Sequence, residues 1–341
     1  MLRTLPLNNR GSWARAGAAV ILATGLAVNH ASADEGGLSF WLPGTFGSLS
    51  AAPSVPGFSF GTIYIHPSAS AGADKAFRRG GRIDLGVDGR GNLVAFGPTY
   101  TFEQQVLGGQ FSLSALAIYG RNNASVDAQL TGPNGGVING HVSDSISGFG
   151  DLLPQATLKW NFGVHNLMTY ATGDVPIGRY DPDRLANMGL GHGAVDGGAG
   201  YTYFDPSAGH EFSAVFGLTY NFENPDTDYK NGIDAHFDWA ASQFLNEHVQ
   251  VGVVGYWFQQ LTGDSGAGAT LGDFKSRVAG IGPQIGFLFP VSDKVGGYLN
   301  IKGFKEFAAE NRPEGWNAWV TLAFSPAAPK KAPETPPLFG K

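Results

Sequence analysis

The chain has 341 residues, 43% of them hydrophobic, 51 glycines, no cysteine and a formal charge of -6. The acidic balance and the lack of any basic stripe exclude nucleic acid as a partner. Without cysteine there is no disulfide, no thiolate catalyst and no cysteine metal site.

In chain order, Arg3, Arg10 and Arg15 form a positive segment, and Gly17 to Val28 is an apolar run. Ala31, Ser32 and Ala33 then offer small residues for cleavage, the pattern of a secretory signal peptide over 1–33. The apolar run is shorter than the ~20 residues of a membrane helix. Its removal takes away three arginines and no acid, moving the charge from -6 to -9. The next segment, 34–56, lacks strand alternation but contains Phe40, Trp41 and Leu42. It either links the cleavage site to the first strand or plugs the barrel mouth. The plug is preferred, because these side chains would otherwise sit exposed in the periplasm.

Beyond it, no run is apolar enough for a membrane helix, and period-two alternation dominates. "HEFSAVFGLTYNF" sets Phe212, Ala214, Phe216, Leu218, Tyr220 and Phe222 against Ser213, Val215, Gly217, Thr219 and Asn221. Such a strand has one apolar and one more polar face. Similar runs place strands near 57–66, 92–102, 109–121, 154–161, 165–172, 197–204, 210–223, 231–242, 248–261, 275–289, 294–306 and 315–324. Twelve is an even number, and the connections alternate between longer loops and short turns. Both features fit a single transmembrane antiparallel β-barrel of about 12 strands over 57–324. Long connections at 122–153 and 173–196 leave room for another hairpin, and so for 14 strands. Aromatic residues near strand ends, among them Tyr100, Trp160, Tyr220 and Phe324, suit interfacial girdles. Mean hydropathy near zero suits a barrel, where the two faces cancel. A soluble sandwich also alternates and is the competing fold. After Phe324, residues 325–341 hold five prolines in seventeen residues, an extended periplasmic tail.

Short motifs carry little chemistry. "GDSGAG" (Gly263–Gly268) resembles a serine-protease nucleophile loop but lacks the histidine context, and reads as a loop. "NPDTDYKNGID" starts like a calcium loop, yet Tyr229 and Ala235 stand where that loop needs Gly and Glu. It reads as an Asx-rich hairpin loop, with a loose surface calcium site as the alternative. The seven histidines of the mature part show no ligand spacing, so no metal, cofactor or catalytic residue is assigned. Asp234, His236 and Asp238 share one strand face, a polar ladder on the lumen wall. Lys159, Gln284 and Trp319 are further lumen candidates. Val254, Tyr256 and Phe258 also fall on the polar register, which favours a passage for apolar or aromatic solutes over an ion pore.

"EGGLSFWLPGTFGSL", "GFGDLLPQ", "LMTYATGDVPIGRYD", "TYNFENPDTDYKNGIDAHFDWAASQFL" and "NRPEGWNAWVTLAF" resemble the outer-membrane proteins named for the meta-cleavage pathway of phenol degradation. The resemblance covers about Glu35 to Ser325. It implies a barrel of a Gram-negative outer membrane that imports aromatic or other hydrophobic compounds, with no catalytic residues to carry over. The expected function is a passive channel or transporter for small hydrophobic or aromatic compounds. Its expected partners are outer-membrane lipid, the solutes and the barrel assembly machinery. The alternatives are a barrel enzyme such as a phospholipase, which needs an outward Ser–His pair, and a structural or adhesive barrel.

Overall fold

The computed structural model describes residues 39–76, 82–132, 134–269 and 275–327. The signal peptide read over 1–33 and residues 328–341 of the tail lie outside the described residues.

Twelve antiparallel strands close into one barrel: β1 Gly57–Ala76, β2 Arg82–Val106, β3 Gly109–Thr131, β4 Val137–Phe162, β5 His165–Asp174 and β6 Ala194–Asp205. They continue as β7 His210–Asn221, β8 Asp234–Phe244, β9 Val249–Gln260, β10 Arg277–Ser292, β11 Val295–Glu310 and β12 Glu314–Pro326. Each strand pairs with its sequence neighbour, and β1 closes on β12 from Phe60↔Phe324 to Ser70↔Glu314. Around the belt, closure leaves no unpaired edge, the condition for a sheet in lipid. The fourteen-strand alternative is thereby set aside.

Side chains obey the period of two. On β7, Glu211, Ser213, Val215, Gly217, Thr219 and Asn221 are buried, whereas Phe212, Phe216, Leu218 and Tyr220 are exposed. An outward face this apolar forms the belt that meets hydrocarbon. Aromatic pairs mark its two rims. Tyr119 packs edge-on against Phe149, centroids 5.1 Å apart, and Phe58 lies 4.7 Å from Tyr100 at the opposite end.

At one end the turns are short. Leu107 (φ 51°) and Gly108 (φ 74°) both adopt the left-handed conformation between β2 and β3, as a tight hairpin turn requires. At the other end β1 to β4 run far past their neighbours: β2 has 25 residues and β5 has ten. A membrane strand needs only about 9–11 residues, so the surplus projects beyond the belt as a wall. The sequence places loops at 67–91 and 122–153; most of both is instead strand. The reason is physical. Above the lipid the outward face no longer has to be apolar, so the alternation that marks membrane strands fades while the ladder continues.

Candidate functional site: the barrel lumen

The interior is not an open, wetted tube. Ser39 to Ala52 runs inside the barrel, and its groups meet side chains from many strands. The carboxylate of Asp238 accepts the amides of Gly44 (2.9 Å) and Phe46 (3.0 Å). Glu211, on the neighbouring strand, accepts the Leu49 amide (3.0 Å) and the Ser48 hydroxyl (2.7 Å). From β11 the Lys302 ammonium donates to the Gly44 carbonyl at 2.6 Å. Thr202 accepts the Ala51 amide, Gln284 donates to Ser48 Oγ, and Lys159 donates to the Ala52 carbonyl. A segment without regular structure has unpaired backbone groups, costly to bury unless side chains receive them. Here polar residues of β4, β6, β7, β8, β10 and β11 do so.

The six lumen candidates therefore divide. Asp238, Gln284 and Lys159 bond directly to the N-terminal segment. His236 reaches it through its ring, stacked on Trp41. Trp319 donates Nε1 to Asn317 (2.7 Å) and lies 5.0 Å beneath the Lys302 ammonium. Asp234 accepts from Asn221 Nδ2 at 2.9 Å. Of the apolar trio in the segment, Phe40 and Trp41 are buried and Leu42 is half-buried.

His236 is fully buried, its Nε2 2.8 Å from Asp196 Oδ2 and 3.4 Å from the Tyr170 hydroxyl. Thr219 also donates to Asp196. The polar ladder read from the sequence does line the lumen, and at His236 it is sealed, because Trp41 lies over it. Asp196, Tyr170, Glu211 and Lys302 belong to the same constellation and were missed by the strand-by-strand reading. They stand on four different strands, and only barrel closure brings them together. Glu211 had a visible signal: it is a carboxylate on the polar face of the clearest strand.

Outer loops brace the opposite end. Asp151 of β4 accepts the amides of Gly178 and Leu190 from the β5–β6 connection. Arg184 of that connection grips Asp144 with two hydrogen bonds, 2.6 and 3.0 Å. The "GDSGAG" loop is tied by Asp264, which accepts from Tyr229 Oη and Gln260 Nε2, both at 2.6 Å. Asn224 caps its own hairpin by accepting the Asp226 amide, an Asx turn.

The comparisons agree with this architecture. A family model described as "Putative MetA-pathway of phenol degradation" matches residues 73–322. No curated protein matches the chain in sequence. Among solved structures, an outer membrane channel from Pseudomonas putida F1 is similar at TM-score 0.60 and 15% identity, covering 80% of this chain and 96% of that one. A CymD monoaromatic hydrocarbon channel aligns at TM-score 0.40 and 6% identity, covering 80% and 89%. A FadL homologue of Pseudomonas aeruginosa aligns at 0.35 and 9%, covering 79% and 88%.

Proposed function

The chain belongs to the family described as "Putative MetA-pathway of phenol degradation", and from that premise we propose that it is an outer-membrane channel for small hydrophobic or aromatic compounds. Solute moves down its own gradient. The N-terminal segment acts as a plug, whose displacement opens the path.

One observation carries the reading: a closed barrel with an apolar outer belt holds inside it a segment bonded chiefly through side chains. No strand of the wall depends on that segment for its ladder, so it can move without unpairing the sheet. The interior beneath is rich in large apolar groups, with Met168, Tyr170, Phe258 and Trp319 buried in one cluster. These apolar groups offer contact to an apolar or aromatic solute, whereas the polar side chains around them, Asp238, Glu211 and Lys302 among them, are engaged by the N-terminal segment.

The test is uptake of radiolabelled phenol, naphthalene and dodecane by a Gram-negative host with and without the chain. Faster entry of at least one compound, persisting after energy depletion, is the expected result. Equal entry of all three would remove the channel reading. Entry that stops on energy depletion would remove its passive part.

A further inference from the structure

On the projecting wall the two faces exchange character. Within the belt, outward residues are apolar and inward residues largely polar. Above it, the outward row running across the four strands is Ser70, Asp88, Ser125 and Ser143, and the next is Arg90, Asn123 and Ser145. Inward, the row next to it is Ala71, Val87, Val126 and Val142, paired strand to strand. Higher on the same face come Leu85 with Ala128, and Leu130 with Ile138. That these point toward the barrel axis follows from the alternation. Val87 has the parity of Leu93, which packs on the interior cluster, and Val142 that of buried Ile146.

In water, an apolar row on a two-faced wall is expected to be covered. The lower part is. Ala186 and Met188 of the β5–β6 connection pack on Ile146, with Leu93 and Ala124 beside them. The Arg184–Asp144 pair pins that connection in place. Higher up the face is open: Val87 is 38% exposed, Ile138 59% and Val142 64%. Leu93 packs against both the covered patch and the interior cluster, which joins the two; between that patch and the open row the inward face carries Gly89, Ala124 and Asp144, the last held by Arg184.

We propose that this inward face, centred on Val87, Val126 and Val142, is a capture surface that adsorbs the apolar solute from water and delivers it to the barrel mouth. This rests on the channel reading above and names where that solute first binds. The occupant is a small apolar molecule rather than a protein, on three grounds. The face looks toward the barrel's own axis. The wall's outward side, which a neighbouring molecule would meet first, is polar. The patch also stands directly above the covered patch that leads through Leu93 to the interior. Exposed apolar patches rimmed by polar residues mark interaction sites, ligand-binding grooves among them.

The experiment compares two matched pairs of substitutions in cells that take up radiolabelled naphthalene. Val126→Asp with Val142→Asp charges the inward row; Ser125→Asp with Ser143→Asp places the same charges one residue away on the outward row. Equal surface expression and heat-modifiable migration establish that both fold. The inward pair should raise the naphthalene concentration for half-maximal uptake about tenfold, with the maximal rate kept, and the outward pair should leave both unchanged. Equal uptake by all three proteins would overturn the capture surface while leaving the channel standing. No uptake by the unsubstituted chain would overturn the channel, and the capture surface with it. If the inward pair instead abolishes cross-linking between copies and leaves uptake untouched, the face is a contact between barrels and the proposal fails.

Discussion

The indole of Trp41 lies flat on the imidazole of His236, ring centroids 3.7 Å apart and planes 11° from parallel. Trp41 belongs to a segment with no strand pattern, and His236 to a strand whose polar face is among the most evident in the chain. Their stack seals His236, whose Nδ1 is buried without a hydrogen-bond partner among the described residues, as is Trp41 Nε1. Two unsatisfied donors or acceptors at one contact each cost roughly 1–3 kcal/mol. The contact is therefore strong in area and weak in polar satisfaction, which fits the proposed displacement of the segment.

The first prediction concerns that junction. Trp41→Ala removes a stacked pair worth about 0.5–1.5 kcal/mol beyond its buried area. Asp238→Asn leaves one acceptor oxygen where two backbone amides now find partners. Both variants should keep the barrel, because the twelve-strand ladder is untouched. Both should raise single-channel conductance and its fluctuation in planar bilayers. Currents indistinguishable from those of the original chain, for both variants, would mean the segment does not obstruct the path.

A second prediction follows from the loop clamp above the belt. Hydrogen bonds from Arg184, and then the Ala186 amide, hold the Asp144 carboxyl down to about 2 from its ordinary 3.8. Asp181 lies near enough to add its charge on the Arg184 side. A depressed acid contributes stability that is complete above its unfolded value and fades as pH falls through its folded one. The clamp should accordingly hold at pH 4, weaken between about 3.8 and 2, and be gone below. Pepsin cleavage beside the exposed Leu185 reports it. Cleavage should start only near pH 2 in the original chain and already at pH 4 in Asp144→Asn. Equal cleavage of the two at pH 4 would show that the pair does not secure the loop.

The strand period was legible wherever one face meets hydrocarbon, since there lipid demands apolar residues at every second position, as from Phe212 to Tyr220. It failed on the wall, where Val87, Val126 and Val142 alternate with Asp88, Ser125 and Ser143. In that run the apolar positions are small and the polar ones are mostly serine, so the contrast is low and glycines interrupt it. Asp234, His236 and Asp238 could be assigned to one face from spacing alone. Their partners could not, because Asp196 sits two strands from His236 and the Gly44 and Phe46 amides carry no side-chain signature. Phe40 and Trp41 stood out as apolar groups needing cover, but what would cover them depended on closure of the barrel.

A third prediction fixes which end faces outward. The chain lacks cysteine, so single cysteines report their position without background. Asn134 sits at the exposed tip joining β3 to β4, and Glu247 in the short β8–β9 turn at the other end. With long connections outside and short turns in the periplasm, Asn134→Cys should react with a polymer-linked maleimide on intact cells. Glu247→Cys should react only after the outer membrane is broken. Labelling of position 247 on intact cells would invert the barrel.

The last prediction asks which face meets lipid and at what height. Phe237 lies in the middle of β8, its neighbours across the ladder being Phe216 and Trp257, both exposed on the outward side. Val137 is also exposed, but it opens β4 at the far tip of the wall. Arginine at the first site would face hydrocarbon near the midplane, at a cost of roughly 2–4 kcal/mol, falling to about 0–1 near the interfaces. Arginine at the second site would stand in water and cost little. Phe237→Arg should therefore lower the denaturant midpoint for unfolding from lipid vesicles by a readily measured amount, and Val137→Arg should leave it within error of the original. Equal midpoints for the two would mean that the aromatic belt is not in contact with lipid. A larger loss at 137 would place the membrane around the projecting wall instead, and would turn the inward valines from a surface bathed in water into the lining of the span.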